Sequence, residues 1–283
     1  MRKTFLIELL DSGVFTYFPE EPYYAEILNM MIDSELEDYE PSVYEWLDRN
    51  DGSYFEADHH GELAMNRRHA ERGHDGAQHI LGKHYYYGLG VLVDYEEAVK
   101  WWLLSANQGN TISQYDLANC YRRGLGVTKN IVEAARLYRL NAEQGDVEAQ
   151  YNLGCCYYHG NGVLFDIKEA IKWWLLAADK GCVQAQYNLG VVNCYRDSKE
   201  AVKWWRMAAE AEISEAQYNL GCCLANAIGV DQNDMEAYFW FLIACERGIE
   251  KARLACYLIE DELTAQQQSK VHDRYLKWFE ERP

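Results

Sequence analysis

From residue 75 onward, apolar side chains fall at spacings of three and four, in short runs that end at glycine. Between Ala149 and His159, Leu153 and Tyr157 lie on one stripe, and the run stops at Gly160-Asn161-Gly162, where glycine supplies the positive φ of a helix end. A second run starts near Asp166, a candidate N-cap. It carries Ala170, Trp173, Trp174 and Ala178 on one apolar face and ends at Gly181. The pattern predicts two helices joined by a tight turn.

The same text then recurs. Gln78, Gln114, Gln150 and Gln186 stand 36 residues apart, and Gln217 follows 31 later. AQHILG from Ala77 returns as AQYNLG from Ala149, Ala185 and Ala216, and EEAVKWW returns as KEAIKWW and KEAVKWW. Gly82, Ala118, Gly154, Gly190 and Gly221 form a small-residue column on the first helix, read as room for a neighbouring backbone. Trp101, Leu137, Trp173, Trp204 and Trp240 form a second column expected to fill the opposite gap. A helix pair cannot bury a tryptophan alone, so each unit needs its neighbours. The fourth unit lacks five residues, and the loss falls in the turn, leaving Cys194-Tyr195-Arg196-Asp197 while both helix cores keep register.

The pattern Ala-x-x-x-Leu-Gly-x-x-Tyr-x-x-Gly-x-Gly-Val, followed by Lys/Glu-Ala-x-x-Trp and Ala-x-x-Gly, resembles the Sel-1-like repeat, a relative of the tetratricopeptide repeats. Arg136-Leu137-Tyr138 in place of Trp-Trp and Ala227 in place of a loop glycine depart from it. The resemblance implies an all-α fold: a right-handed α/α superhelical solenoid of about five helix-pair repeats with terminal capping helices, its first helices lining a concave side. The expected organisation is an acidic, partly helical segment over 1–62 and an N-terminal capping helix over 63–74. Repeats follow at 75–110, 111–146, 147–182, 183–213 and 214–249, with C-terminal capping helices over 250–283. In the last of these, Thr264 is the candidate cap, with Val271, Tyr275 and Trp278 facing inward.

Upstream the reading is coarser. Residues 4–10 and 14–18 form either a hairpin or two helical pieces. Tyr23, Tyr24, Ile27, Leu28 and Met31 have helical spacing, and Pro41 to Leu47 fits a short helix. Charge separates this segment from the repeats: residues 1–62 hold sixteen Asp/Glu against Arg2, Lys3 and Arg49, a net −13 within a chain of net −18. The run Asp33, Glu35, Glu37, Asp38, Glu40 is either a solvated loop or a surface that steers a basic partner. This sign argues against nucleic acid and anionic membrane as partners. No apolar run reaches the ~20 residues of a membrane span, and Glu8 and Asp11 interrupt any signal-like stretch, so a cytoplasmic chain is expected.

Candidate chemistry is thin. Nine cysteines without C-x-x-C, two pairs of them adjacent, read as small core residues. Six of the eight histidines lie between His59 and His84, but their spacing sets no metal site. The Gly-Leu-Gly-Val stretch has no preceding strand and no following Lys-Ser/Thr, so it is a turn and not a phosphate loop. No S-x-x-K or Ser-His-Asp arrangement supports catalysis, and no cofactor is expected. What remains is a binding face of first-helix positions that differ between units, taken by analogy with tetratricopeptide-type helices: Lys83, Tyr86, Tyr87, Asn119, Arg122, Arg123, Tyr158, His159 and Asn226. The expected function is a non-catalytic scaffold or adaptor that binds another protein or peptide. An immunity-type inhibitor that neutralises a toxin is the alternative, and a hydrolase comes third.

Overall fold

In the computed structural model, residues 59–282 are described; the hairpin-or-helix stretch at 4–18, the helical spacing of 23–31, the short helix at 41–47 and the acidic run lie outside them. Every regular element among the described residues is a helix. The chain divides after Lys180 into two compact units.

In the first unit, α1 (His59–Glu71) packs on α2 (Asp75–Tyr87), and α3 (Tyr95–Asn107), α4 (Thr111–Arg123), α5 (Ile131–Glu143), α6 (Val147–His159) and α7 (Ile167–Ala178) follow, each packed on the helix before it. In the second unit, α8 (Val183–Asn193), α9 (Ser198–Glu210), α10 (Ser214–Asn226), α11 (Asp234–Glu246) and α12 (Glu250–Glu260) do the same. There α13 (Ala265–Glu280) also lies on α11. The second helix of each pair is fastened at its start. Asp94, Asn130, Asp166, Asp197 and Asn233 accept hydrogen bonds from backbone amides of the first turn. The first helices α2, α4 and α6 end at Gly88, Gly124 and Gly160, all left-handed. Thr264 and Gln267 make a capping box on α13, which buries Val271 and Trp278 and leaves Tyr275 half-buried.

The core of each pair is a ring set into a notch. Trp102, Trp174, Trp205 and Phe241 are buried, and a Cβ placed on Gly82, Gly154, Gly190 or Gly221 would overlap the ring of the same pair. This corrects the expectation from sequence. The small column admits an aromatic ring from its own repeat, not a neighbouring backbone. The ring is also the second aromatic of each Trp-Trp, while Trp101, Trp173 and Trp204 are only half-buried. In the second pair the notch holds Ala118, and the residue in the ring column is the buried Tyr138. The indole N–H groups of Trp102 and Trp174 donate to the carbonyls of His79 and Tyr151, at 3.1 and 3.2 Å, so two of the buried rings leave no polar atom stranded.

The glycines of the turns hold successive pairs together. Gly126 has φ +66 and its bare Cα faces the Tyr95 carbonyl at the start of α3; Gly162, at φ +73, faces that of Ile131 at the start of α5. Gly229 repeats this against Ser198 in the second unit. Each turn therefore rests on the first residue of the preceding second helix. Only glycine satisfies both the left-handed backbone and the close approach. At the end of α9 the usual glycine is Glu212, which holds φ +72 and pairs with Arg247 at 2.6 Å.

Gly162→Ala should lower stability by about 3 kcal/mol, because both the backbone and the fixed Ile131 carbonyl oppose a methyl group. Gly109→Ala, with φ +94 but open space, should cost only about 1 kcal/mol. Denaturant melts of the two variants should separate in that order, and equal losses would refute the docking role of the turn.

Candidate functional site

Most of the recurring polar residues are consumed between repeats. Gln78, Gln114, Gln150 and Gln217 each donate Nε2 to the carbonyl eight residues earlier, Ala70, Ala106, Ala142 and Ala209, all at 3.1 Å. These carbonyls lie near the ends of the preceding second helices, where the backbone lacks partners of its own. The glutamine that marks the period is thus a clamp, contributing about 1 kcal/mol per bond. Gln268 makes the same bond to Glu260, at 2.9 Å, in the terminal pair.

The Tyr-Asn dipeptide is also internal. Tyr115 on α4 accepts from Asn152 on α6 at 3.1 Å. One repeat earlier, the corresponding positions are His79 and Asp116, which meet at 2.9 Å. Two departures from the repeat therefore occur together and replace one polar contact with another. Burial raises the Tyr115 hydroxyl to about 12, so it stays protonated in that contact.

The candidate binding residues split into groups. Lys83 is half-buried on α2, where burial lowers its ammonium against the opposing pull of Asp116. Asp116 and Arg123 on α4 act with opposite sign on the buried Cys120 thiol of the same helix. Arg122 and Arg123 are both exposed at the end of α4. Burial raises the Tyr138 hydroxyl, against the opposing pull of the Arg122 charge, and it donates to Asn119 Oδ1 at 2.6 Å. Asn119, Arg122 and Arg123 lie on α4, and Asp116 of the same helix acts on Lys83 of α2.

The aromatic candidates behave differently. Tyr86 contacts Tyr87, Tyr95 and Trp102 at centroid distances of 4.9 to 5.2 Å, and is half-buried as part of the packing around the α2–α3 pair. Tyr87 is half-buried beside it. Tyr158 is 3% exposed and its ring packs, tilted, against Trp174 at 5.3 Å, which corrects the expectation of a contact residue there. His159 is half-buried edge-on to Tyr158. Asn226 lies in the second unit and turns back to donate to the Cys222 carbonyl at 2.8 Å.

All nine cysteines are free thiols. Burial pushes Cys120, Cys156, Cys194, Cys222 and Cys256 up to about 12, and Cys223 higher still. Thiols in that state are weak nucleophiles and weak metal ligands at neutral pH. Among the described residues no group of three His, Cys, Asp or Glu side chains is placed to hold a metal ion. No helix among them is long and apolar enough to cross a membrane.

Paired helices with periodic clamps, notches and turn glycines define an α/α repeat protein. The model of the Sel1 repeat matches residues 76–110, 111–146, 147–182, 183–212 and 214–249, more than half of the chain, which therefore belongs to the Sel1 repeat family. Repeats of this kind generally serve protein–protein interaction. Among solved structures, the chain is similar to a Sel1 repeat protein from Oxalobacter formigenes, with 32% identity, a TM-score of 0.59, and coverage of 65% of this chain and 75% of that one. It is also similar to c5321, a protective antigen of uropathogenic Escherichia coli strains displaying an SLR fold, with 27% identity, a TM-score of 0.53, and coverage of 77% and 56%. The immunity protein Pa5087 from Pseudomonas aeruginosa is 17% identical over 83% of this chain and 86% of that one, with a TM-score of 0.38, a likeness that carries no argument about function. No curated protein matches the chain.

Two measurements test this assignment of roles. His79→Tyr with Asp116→Asn rebuilds the Tyr-Asn contact seen at Tyr115 and Asn152. Each single change should cost about 1 kcal/mol, and the double variant should recover most of it, giving a coupling of about 1 kcal/mol in a double-mutant cycle. Additive losses would mean that the two side chains do not act as a unit. The thiols set a pH dependence of definite sign. Above the usual thiol value of 9.0 the unfolded chain releases protons that the folded chain keeps until about 12, so stability should be flat below pH 9 and fall above it. A urea series from pH 7 to 10.5 reads this, and stability unchanged up to pH 10.5 would show that the buried thiols do not resist ionisation.

Proposed function

We infer that this chain is a non-catalytic scaffold that captures an acidic segment of another protein on the patch formed by Lys83, Arg122 and Arg123. The observation that carries this reading is electrostatic. Within a chain of net −18, two exposed guanidinium groups stand side by side at the end of α4, and the half-buried ammonium of Lys83 on α2 feels the pull of Asp116 on α4. Guanidinium groups bind carboxylates through paired, charge-assisted hydrogen bonds, and the long-range repulsion of the remaining acidic surface would reject partners that lack a matching geometry. The repeated Gln, Tyr and Asn side chains are engaged between repeats, so specificity falls to positions that vary from repeat to repeat. Nine reduced thiols suit the cytoplasm.

Arg122→Glu with Arg123→Glu should raise the Kd for an acidic partner at least tenfold, since charge-assisted contacts contribute about 1.5–3 kcal/mol each. Affinity capture with the native chain and with the double variant, read by mass spectrometry and then by calorimetry on the recovered partner, checks this. Equal recovery by both proteins would refute the patch, and recovery of no protein would refute the scaffold reading.

A further inference from the structure

Two leucines of the first unit stand almost clear of the protein. Leu92 and Leu164 are each 90% exposed, in the turns that join α2 to α3 and α6 to α7, and each is followed by another exposed apolar residue, Val93 and Phe165. The turn does not require them. It carries Thr128-Lys129 between α4 and α5 and Asp231-Gln232 between α10 and α11, where Gly126 and Gly229 hold φ +66 and +67, against +72 and +73 at Gly90 and Gly162. Polar residues therefore close this backbone equally well, and folding does not explain the apolar pairs.

The three turns of this unit form one edge. Gly126 and Gly162 seat their turns against the first residues of α3 and α5, so the edge runs from Leu92-Val93 past the starts of α3 and α5 to Leu164-Phe165. Between the leucines, Val132 at the start of α5 is 63% exposed, where α3, α7 and α9 carry Glu96, Lys168 and Lys199. The repeat whose turn is polar is thus the one whose helix start is apolar, and contiguous exposure of this kind marks a contact surface. The row is also held still. The amides of Asp94 and Asp166, just after the apolar pairs, donate to the Tyr85 and Tyr157 carbonyls at 2.9 and 3.0 Å, and Val93 and Phe165 lie over Gly88 and Gly160. A partner meets apolar groups already in place, with little ordering left to undergo.

The middle turn carries the charge. Residues 117–132 hold Arg122, Arg123 and Lys129 and no carboxylate, and the cap at the start of α5 is the neutral Asn130 where α3 and α7 have Asp94 and Asp166. All three cations are exposed, at the end of α4 and in the turn that follows it. Along this edge a cationic stretch lies between two apolar ones.

We propose that this edge docks a segment of another protein whose central carboxylates meet Arg122 and Arg123 and whose apolar side chains, on both sides of them, cover Leu92-Val93 and Leu164-Phe165. The inference rests on the capture of an acidic segment proposed above and adds the second feature that such a segment needs. Exposed cations alone attract any anion; apolar cover in two flanking repeats selects one pattern, because both demands must be met at once.

Fluorescence anisotropy on the full chain tests this with labelled synthetic peptides that hold Asp-Glu at the centre and Leu-Phe at both ends, joined by glycine–serine spacers of graded length. Counterparts carry serine in place of the apolar residues. At least one apolar peptide should bind about tenfold or more tightly than its serine counterpart. Leu92→Ser with Leu164→Ser, both far out in solvent, should remove that preference while leaving the melting temperature and the affinity for the serine peptide unchanged. Equal affinity for both kinds of peptide, weakened alike by Arg122→Glu with Arg123→Glu, would overturn the inference and leave the arginine patch standing. Apolar binding untouched by the arginine reversals would overturn the patch reading and the composite site with it. A preference that survives Leu92→Ser with Leu164→Ser would place the apolar contact elsewhere and overturn the inference, and failure of every peptide to bind would overturn both readings.

Discussion

The structure depends on a ring pressed into a notch. An indole or phenyl ring on the second helix reaches a backbone left bare by glycine on the first, where a Cβ would overlap the ring. Burying such a ring removes a large apolar area from water, a gain of a few kcal/mol per pair, and the geometry fixes how closely the helices approach. A single pair offers too little cover for its outer faces, so this local fit becomes useful only when pairs stack. The turn glycines and the clamping glutamines do that second job. They tie the turn and the first helix of one repeat to the ends of the preceding second helix, through contacts that recur almost unchanged in distance.

This division of labour explains what the sequence disclosed. The fold class was legible, because a period of 36 residues with fixed glycine, glutamine and aromatic columns admits few other arrangements. Which tryptophan of a Trp-Trp faces the notch was not. Adjacent helical residues differ by about 100° around the axis, and both Trp173 and Trp174 fit an apolar stripe. Trp174 is buried and Trp173 only half so, a difference set by where the first helix lies and not by the local pattern. The five-residue loss in the fourth unit was readable as a turn deletion because α8 and α9 keep their columns, with Trp205 against Gly190.

The candidate site was less legible for a related reason. Repetition signals importance without saying whether it serves packing or binding. Gln114, Tyr115 and Asn152 repeat because each repeat must hold the next, and the same polarity would suit a ligand. Tyr158 falls at a position that varies between units, yet its ring packs against Trp174 and is 3% exposed. His79 and Asp116 carried a usable signal in their joint departure from Tyr and Asn. Reading it required knowing that contacts run between positions 37 residues apart.

With its periodic polar groups engaged between repeats, the array leaves recognition, on the proposed reading, to positions that vary from repeat to repeat. Each clamp and ladder contact satisfies a donor that water would otherwise contest, which adds stability and removes that donor from recognition at the same time. In the last turn of α4, Arg122 and Arg123 are exposed, and one turn back Asn119 accepts from the buried Tyr138 hydroxyl. Lys83 adds charge from the neighbouring repeat, and its partial burial beside Asp116 makes its pull local instead of diffuse. On that reading, recognition depends on the junctions between repeats, which the clamping glutamines and the turn glycines hold in place.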